Sequence, residues 1–515
     1  MSIPDNKHFI LLGTLQDNTR ASKLGKLKLD YQTPEDSVRF TLFDSFDQEI
    51  RHSGKALILS QNVLTLIQYD GETLTQAAPK APGFVSEMDD GPVKRALGFI
   101  SPLRRLLAVG QGTLSRTVII ALDSEEKTHA RAHVHTLQAD KSGTPITLAT
   151  IQALRGYDEA FALMSRHIAQ LGYPLGPDIY SLYEQLVPDY TPYNPKPVLF
   201  ITKNEQAFKV ANDIVTTHVQ IARQNEPGIM ADYDTEFLHD YRVSLRKVRS
   251  VISLFKGVYN VEQTLQLKKA FADLMSPTGR MRDLDVYLLD RQHYYELLPE
   301  SLHDGLTIMY GIFSKEREKE LKKMKSLLKS SAYKQSIEGL EKLYLEPGAL
   351  QPGPNADRSA YLYACELIWK RYSKVCKIAR AIDQTTPDET VHDLRIHCKK
   401  LRYLMDFFSL LFEANTIKSL LKSLKVLQDN LGLFNDYSVQ QVSLQEFVQN
   451  HTSRNREKDL QVAKSVGALI VILSQRQLEE RAKVVSNFEK FDSESTQQKF
   501  RELFKHQQTK AEVKA

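Results

Sequence analysis

The sequence predicts an α+β N-terminal domain, built mainly on antiparallel strands, followed by an all-α domain of two four-helix bundles. Three observations predict this organisation. Short apolar runs separated by turn residues fill the N-terminal part, helical spacing dominates after Phe200, and one basic motif occurs twice in the helical part. We assign residues 1–172 to the first domain, 173–200 to a linker and 201–500 to the second domain.

Six segments of the N-terminal region alternate apolar and polar residues or are apolar throughout, as β-strands are. They are Phe9–Leu15, Val38–Leu42, Ala56–Leu59, Val63–Tyr69, Arg116–Leu122 and Ala130–Leu137. Between Thr147 and Leu171 the apolar residues recur at helical spacing, which predicts one helix that ends at Gly172. Strands therefore come first in this domain, and a helix closes it.

Proline marks the boundary between the predicted domains. Six of the chain's 20 prolines lie between Tyr173 and Pro197. Because proline fixes φ and has no backbone N–H, this segment cannot continue a helix or a central strand. We predict a semi-rigid, Pro-rich linker with one short helix near Tyr180–Leu186.

The helical region divides into two similar halves, residues 201–346 and 357–490. Helical patterns lie near 203–225, 235–258, 262–293 and 300–330 in the first half, and near 357–383, 387–412, 416–449 and 456–490 in the second. The segment Pro347–Pro354, rich in Pro and Gly, separates the halves. Four helices in each half predict two four-helix bundles.

One motif opens the second helix of each half. His-Asp-Tyr-Arg-Val-Ser-Leu-Arg-Lys-Val-Arg begins at His239, and His-Asp-Leu-Arg-Ile-His-Cys-Lys-Lys-Leu-Arg begins at His392. The offset of 392 − 239 = 153 residues also pairs Phe255 with Phe408 without a gap. A period this long indicates two copies of a domain-sized unit rather than a solenoid.

Each copy of the motif places its basic residues on one face of a helix, which we call its basic stripe. At about 100° per residue, the stripe occupies an arc of about 80°, and the apolar residues lie on the adjacent face. The stripes consist of His239, Arg242, Arg246 and Arg249 in the first copy and His392, Arg395, Lys399 and Arg402 in the second. Lys247 and Lys400 flank them.

Within the two motifs, no Asp or Glu lies on the helix face that carries the stripe, although solvated helix faces usually carry charges of both signs. The nearby Asp240 and Asp393 sit about 100° away from His239 and His392, on another face. Two unit charges about 6 Å apart repel by roughly 0.7 kcal/mol even in water. We therefore interpret the uncompensated stripes as the binding surface of a polyanion. A plain solvated face is the alternative for the stripes, and a buried, hydrogen-bonded histidine is the alternative for His239 and His392.

The composition of the stripes favours phosphate over nucleic-acid bases. Arg binds phosphate oxygens in bidentate fashion, and Lys supplies a point charge. Proteins that bind single strands interleave aromatic residues with the charges, and Tyr403 beside the second stripe is a lone example. Charge alone also permits a nucleic-acid-binding protein, so this class stays an alternative.

The two motifs, each His-Asp-x-Arg with three further basic residues, resemble the CHAD domain, a family named for its histidines and helices. The resemblance covers roughly residues 200–490. It implies two four-helix bundles related by a pseudo-two-fold axis, with both basic helices lining a shared groove. It also implies that the bound polyanion is inorganic polyphosphate.

The stretch Gly279–Val286 is similar to the third-helix signature of the same family, and Gly432–Asp436 repeats it without the Arg before the Asp. The resemblance implies additional or supporting roles for four residues, Arg280, Arg282, Asp283 and Asp436. Two roles remain open for the two aspartates. They either orient a basic residue of the third helix, or they cap or pair structurally.

The N-terminal domain resembles the CYTH family, a triphosphate-processing β-barrel, in Phe43–Leu57 and in Ala130–His135. It departs from that family in its opening strand, which lacks the Glu-x-Glu-x-Lys acids that hold the metal, and in His133 and His135, which replace later acids. Mg²⁺ needs such carboxylates. We therefore expect a degenerate, CYTH-like partial barrel with no catalytic residue, metal or cofactor. A metal site of His129, His133 and His135 is the alternative.

Charge and cysteine content set the expected environment. Residues 1–200 carry 20 Lys/Arg and 22 Asp/Glu, so the remaining 68 − 20 = 48 basic and 63 − 22 = 41 acidic residues give the rest of the chain a net charge of +7. The excess positive charge thus lies with the repeat. The sparse cysteines, the N-terminus without a signal peptide and the short apolar runs predict a cytoplasmic protein without a membrane segment.

The leading hypothesis is non-enzymatic binding of inorganic polyphosphate in a basic groove between the two repeats, with recruitment to polyphosphate granules as a further expectation. An enzyme is the first alternative, a tripolyphosphatase or polyphosphatase acting through the N-terminal domain. A nucleic-acid-binding protein is the second alternative, and we do not expect a nucleic-acid partner.

Overall fold

The protein is represented by a computed structural model, which describes residues 6–14, 22–33, 35–68, 71–141, 144–170, 183, 185–187, 192–451 and 455–505, and the backbone of 173–174. The chain divides into two compact units, Met1–Pro195 and Lys196–Ala515. An antiparallel sheet dominates the first unit, and helices make up the second. The predicted order of an α+β domain and an all-α domain is confirmed.

The described part of the first unit contains one sheet of 11 strands, all paired antiparallel. The strands are β1 (Lys7–Leu12), β2 (Lys23–Leu24), β3 (Leu27–Tyr31), β4 (Val38–Asp44), β5 (Lys55–Ser60), β6 (Val63–Gln68), β7 (Thr73–Ala77), β8 (Leu107–Leu122), β9 (Thr128–Ala139), β10 (Ile146–Gln152) and β11 (Tyr173–Pro174). Their order is β11-β1-β10-β9-β8-β4-β5-β6-β7, and β3 pairs with β8 and β2. This half-barrel sheet fits a CYTH-like fold.

In the described part of the first unit, the α-helices whose bounds are defined are α1 (Glu49–His52), α2 (Pro92–Ala96) and α3 (Asp158–Gln170). The single helix predicted from Thr147 is wrong in its first part, because β10 occupies Ile146–Gln152 between β1 and β9. Four of the seven residues of β10 are β-branched, which favours a strand, although the spacing of its apolar residues suits either a helix or a strand. A turn at Gly156, with φ of +85°, separates β10 from α3.

The sheet is covered on both faces. Met164 and Ile168 of α3 pack with Val134 on one face, and Tyr183 packs with Leu137 and Leu148 on the other. Tyr183 belongs to the Pro-rich segment and donates its hydroxyl hydrogen to the buried Asp44 at 2.9 Å. That segment therefore packs onto the sheet at this point. The short helix predicted near Tyr180–Leu186 lies mostly outside the described residues.

The helices of the second unit follow the repeat. Those of the first repeat are α4 (Ala207–Ala231), α5 (Thr235–Leu254), α6 (Val261–Met275), α7 (Gly279–Leu289), α8 (Arg291–Glu296), α9 (His303–Lys329) and α10 (Ser331–Leu345). Those of the second repeat are α11 (Ala360–Ala379), α12 (Asp388–Phe407), α13 (Ala414–Asn450), α14 (Arg456–Ala482), α15 (Val484–Phe491) and α16 (Glu494–Phe500). Helices α5 and α12 begin 388 − 235 = 153 residues apart, and so do α9 and α14.

Contacts between equivalent residues reveal a pseudo-two-fold axis between the repeats. The backbone N–H of Ala207 donates to Arg358 at 2.9 Å, and the equivalent N–H of Ala360 donates to Glu205 at 2.7 Å. Where α5 and α12 end, the rings of Phe255 and its equivalent Phe408 stack with centroids 4.9 Å apart. Such reciprocal contacts arise only when a two-fold axis relates the two copies.

The two repeats differ in detail. A Ser276–Thr278 turn containing Pro277 interrupts the helices α6 and α7, because proline removes a helical hydrogen bond. The equivalent position in the second repeat is Asn430, and α13 runs unbroken for 37 residues. Each repeat also ends in a fifth helical segment beyond the four predicted, α10 in the first and α15 with α16 in the second.

Candidate functional site

The two motif helices, α5 and α12, pack against each other in the centre of the second unit. Asp234 caps α5 by accepting hydrogen bonds from the N–H groups of Glu236 and Phe237. The apolar face of each helix is buried as predicted, including Tyr241, Leu245, Val248 and Ile252 of α5 and Leu394, Cys398, Leu401 and Met405 of α12. This packing fixes the direction in which the basic stripes point.

Arg246 and Lys399 are equivalent residues, since 399 − 246 = 153, and the axis brings their charges together. Within the described residues, neither side chain makes a hydrogen bond or an ion pair. Partial burial lowers the pKa of Lys399, the positive charges of Arg395 and Arg246 lower it further, and Asp436 opposes them. Because the charge of Arg246 in the first stripe lowers the pKa of Lys399 in the second, the two stripes lie close enough to influence each other electrostatically.

Arg242 and its equivalent Arg395, both members of the basic stripes, are half-buried. Burial lowers the pKa of both guanidinium groups. Arg242 donates through Nη1 to the hydroxyl of Thr278, whereas Arg395 lies 3.6 Å from Asp436. The Nε atoms of both arginines are buried without a hydrogen-bond partner in the described part of the chain. Both guanidinium groups are therefore incompletely hydrogen-bonded among the described residues.

Asp283 of α7 and its equivalent Asp436 of α13 lie beside these arginines. Burial raises the pKa of Asp283, and the positive charges of Arg242, Arg280 and Arg282 oppose that rise. Asp436 is the acid nearest to Arg395. The aspartates therefore face the arginine of the motif helix in both repeats.

Arg280 and Arg282 have different surroundings. Arg280 forms a bidentate pair with Glu316, with both N–O distances at 2.7 Å, so its charge is already compensated. Arg282 carries a buried Nη1 without a partner among the described residues. Arg282 thus has the unsatisfied donor that Arg280 lacks.

The motif histidines are both partly buried. In His392, Nδ1 lies 3.1 Å from the side-chain oxygen of Asn435, and the ring packs 5.2 Å from that of Phe434. Donation from Nδ1 to Asn435 leaves Nε2 as the atom that can face a ligand. Asn435 occupies the position equivalent to Arg282, so the surroundings of the two histidines differ.

The ends of the two stripes differ in charge compensation. Arg402 lies 3.5 Å from Asp406 on its own helix and donates to Gln428 at 3.2 Å. Arg249, its equivalent, contacts only the sulfur of Met275, at 3.5 Å, within the described residues. The interpretation of both stripes as uncompensated is therefore wrong: Asp406 and Asp436 supply negative charge to the second stripe, and Asp283 acts on Arg242 of the first.

Lys247 and Lys400, which flank the stripes, are partly buried, and burial is the main cause that lowers the pKa of each. Negative charge on Asp406 opposes the shift for Lys247. Lys400 instead lies near the positive charge of Arg371. The stripe of the second repeat is therefore partly neutralised by Asp406, whereas its flanking Lys400 has the additional positive charge of Arg371 nearby.

The sheet of the first unit supplies little for a metal ion. Burial and the charge of Arg116 lower the pKa of His135 to about 4, and burial and Arg131 lower the pKa of His133. His129 is bound to Asp123, with Nε2 2.8 Å from Oδ2. No group of three or more potential metal ligands occurs among the residues that the structure describes. Nor do those residues include a helix with the length and apolarity of a membrane span.

The chain is similar to known proteins of one helical domain family. Among solved structures, the CHAD domain from the plant Ricinus communis aligns with a TM-score of 0.49 and 22% identity over 58% of this chain and 96% of that chain. PptA from Streptomyces chartreusis aligns with a TM-score of 0.44 and 12% identity over 55% of this chain and 100% of that chain. No curated protein sequence matches significantly. The CHAD domain family matches residues 213–445, which include both motif helices, and the chain therefore contains a CHAD domain.

Proposed function

We propose that this protein binds inorganic polyphosphate in a groove lined by the two basic stripes of its CHAD domain. The family supports a polyphosphate-related role. The observation that carries the proposal is the pair of equivalent cations, Arg246 and Lys399, whose side chains make no hydrogen bond or ion pair with any described residue and whose charges act on each other. A chain of phosphates that follows both stripes interacts with each cation in turn.

The energetics favour a phosphate polymer over water at this surface. Two like charges about 6 Å apart repel by roughly 3 kcal/mol at an effective dielectric constant of about 20. A polyanion removes this repulsion and forms charge-assisted hydrogen bonds with the cations of the stripes. Each charge-assisted hydrogen bond formed in this way contributes about 1.5–3 kcal/mol. A polymer that repeats one charged group uses such a surface without base-specific contacts.

We propose that binding occurs without catalysis. The opening strand of the first unit, β1, contains no Asp or Glu, so it lacks the carboxylates that would hold a divalent metal over a triphosphate. Incubation with tripolyphosphate and Mg²⁺ or Mn²⁺ tests this point directly. We expect no release of phosphate above the protein-free control, and release at enzymatic rates would overturn the non-enzymatic assignment.

A titration calorimetry experiment tests the choice of ligand. Polyphosphate is titrated into the full chain, alone and in the presence of single-stranded RNA or duplex DNA. We expect polyphosphate to bind and to displace either nucleic acid. Displacement of polyphosphate by nucleic acid would instead favour the nucleic-acid alternative. If polyphosphate binds, association with polyphosphate granules in cells follows as a further proposal.

A further inference from the structure

Each repeat has a cleft between its first helix and its last helical segment, and the two clefts differ in size. The cleft of the first repeat is lined by Thr216, Val219 and Tyr344 and has a volume of about 20 Å³. The cleft of the second repeat is lined by the equivalent residues Trp369, Tyr372 and Gln497 and has a volume of about 270 Å³. The same position of one fold is thus nearly closed in one copy and open in the other.

One substitution explains most of the difference. In the first repeat the buried ring of Tyr344 lines the cleft and packs edge-on against Tyr259, with the ring centroids 6.3 Å apart. In the second repeat Gln497 stands in its place, since 497 − 344 = 153, and its amide donates to the carbonyl of Asp492 at 2.9 Å. The Gln497 side chain lines the cleft, but it is smaller than a tyrosine ring and is tied to Asp492 by this bond. The space therefore remains open.

The chain that borders the open cleft has an unusual backbone. The residues after α16, Arg501–Lys505, form a π-helical turn. Single π-helical turns are rare and often occur at functional sites, because they shift the side chains that follow them. Here the turn brings Arg501 and Lys505 to the rim of the cleft.

The charges around the open cleft are unequal. Arg380 is compensated by Asp492, to which it donates two hydrogen bonds, at 3.0 and 2.6 Å. Among the residues that the structure describes, the side chain of Arg501 donates only to the neutral Gln497, at 3.1 Å. Lys505 makes no ion pair with any described residue and lies over the ring of Trp369, 5.6 Å from its centroid. Two cations at the rim are thus available to an anion.

The aromatic wall offers a surface for stacking. Trp369 is the only tryptophan of the chain and is partly exposed in the cleft. Tyr372 beside it is covered by Phe500, with parallel rings 3.9 Å apart. Lys505 lies over the Trp369 ring in this structure, so a planar ligand reaches that ring when the exposed Lys505 side chain turns towards the phosphate. Nucleotide bases commonly stack on such aromatic rings.

We propose that the cleft of the second repeat binds a small phosphorylated ligand that carries an aromatic ring, the chemistry of a nucleoside phosphate. The ring stacks on Trp369, and the phosphate binds Arg501 and Lys505. The volume of 270 Å³ lies near the lower end of the range of about 300–1,000 Å³ for small-molecule sites. It therefore suits a mononucleotide rather than a polymer. This site uses α11 and α16, and the proposed polyphosphate groove uses α5 and α12.

Because Trp369 is the sole tryptophan, its fluorescence reports occupancy of the cleft. The full chain is titrated with AMP, adenosine and inorganic phosphate. We expect a saturable fluorescence change with AMP and at least a tenfold weaker response to adenosine and to phosphate. No change with AMP up to about 10 mM, a concentration far above ordinary ligand affinities, would overturn the proposal. An equal response to phosphate alone would overturn its aromatic part.

Two variants test the residues, and a third separates this site from the groove. Arg501→Gln with Lys505→Gln should weaken AMP binding at least tenfold. Gln497→Tyr should abolish the response, because it restores the residue that closes the first cleft. Arg246→Gln with Lys399→Gln should leave the AMP response unchanged, whatever it does to polyphosphate binding. Undiminished AMP binding in the first two variants, with a native circular dichroism spectrum, would place AMP elsewhere.

Discussion

The two repeats of the CHAD domain share one backbone plan and differ in how their charges are compensated. The side chains of Arg246 and Lys399 make no hydrogen bond or ion pair with any described residue, and the charge of Arg246 acts on Lys399. Away from the axis, Asp283 and Asp436 act on Arg242 and Arg395 in both copies. Arg402, however, lies 3.5 Å from Asp406, whereas its equivalent Arg249 contacts the sulfur of Met275. Duplication preserved the centre and allowed the flanks to diverge.

The largest expected effect comes from removing the charges that the repeats share. Arg246→Gln with Lys399→Gln should weaken polyphosphate binding by roughly 10²- to 10⁴-fold, because two charge-assisted contacts of about 1.5–3 kcal/mol each are lost. Calorimetry at two salt concentrations measures both the affinity and the salt slope, which should fall by up to about two contacts by analogy with nucleic acids.

The matched control for this variant is Lys209→Gln with Lys425→Gln. It removes one positive charge from each repeat, but each of these lysines already has an acid partner at 2.6–2.7 Å. We expect a change of affinity below about threefold, since exposed charges of this kind contribute little. Equal losses in both variants would mean that net charge, and not the stripes, governs binding.

A second contrast between the repeats concerns pH. His218 is buried, and burial followed by the charge of Lys247 lowers its pKa to about 3. The folded state then binds fewer protons than the unfolded state between about pH 3 and 6.5, so stability is full above pH 6.5 and falls as the pH decreases. The loss reaches at most about 5 kcal/mol, at 1.36 kcal/mol per pKa unit.

Chemical denaturation between pH 4 and pH 7 measures this dependence. His218→Gln should reduce the loss of folding stability at low pH. His293→Gln, a change at an exposed histidine of the same repeat, should leave that loss unchanged. The position equivalent to His218 in the second repeat is Arg371, which donates to His397 at 2.6 Å. If the His218→Gln variant loses as much stability at low pH as the unaltered protein, other groups cause the pH dependence.

A third test compares the stripes directly. Sequence alone predicts equal losses for the two triple variants. The structure predicts that Arg242→Gln, Arg246→Gln and Arg249→Gln together weaken polyphosphate binding more than Arg395→Gln, Lys399→Gln and Arg402→Gln together. The expected difference is about tenfold, or about 1.4 kcal/mol, because neighbouring acids already offset part of the charge in the second stripe. Binding lost in only one triple variant would indicate a one-sided site.

The smallest expected effect comes from exchanging the acid that distinguishes the repeats. Asp406→Asn should strengthen polyphosphate binding about two- to fivefold, because an exposed pair contributes only about 0.2–1 kcal/mol. Ser253→Asp introduces the same acid at the equivalent position of the first repeat and should weaken binding by a similar factor. Opposite signs in the two calorimetric titrations would support the comparison, and equal signs would contradict it.

The sequence predicted the parts of the site that depend on local periodicity. The spacing of Arg242, Arg246 and Arg249 defines a helical face, and the exact 153-residue offset defines its partner. It did not predict the partners from other elements, such as Thr278 for Arg242 and Glu316 for Arg280, because those contacts depend on tertiary packing.

The same limit explains the errors in the fold. Ile146–Gln152 has apolar residues at spacings that suit either a helix or a strand, and its position between β1 and β9 decides for the strand. The opening of the second cleft depends on Gln497 in place of Tyr344, a difference that has meaning only once the repeats are superposed in space. Sequence periodicity identified the elements, and packing determined which residues meet.

The most direct test of the polyphosphate groove is a crystal structure of the full chain with bound polyphosphate. We expect phosphate oxygens within hydrogen-bonding distance of both Arg246 and Lys399, and a continuous phosphate chain that also reaches Arg242 and Arg395. Phosphates bound only outside the two stripes, with Arg246 and Lys399 left in contact with water, would contradict the proposed function.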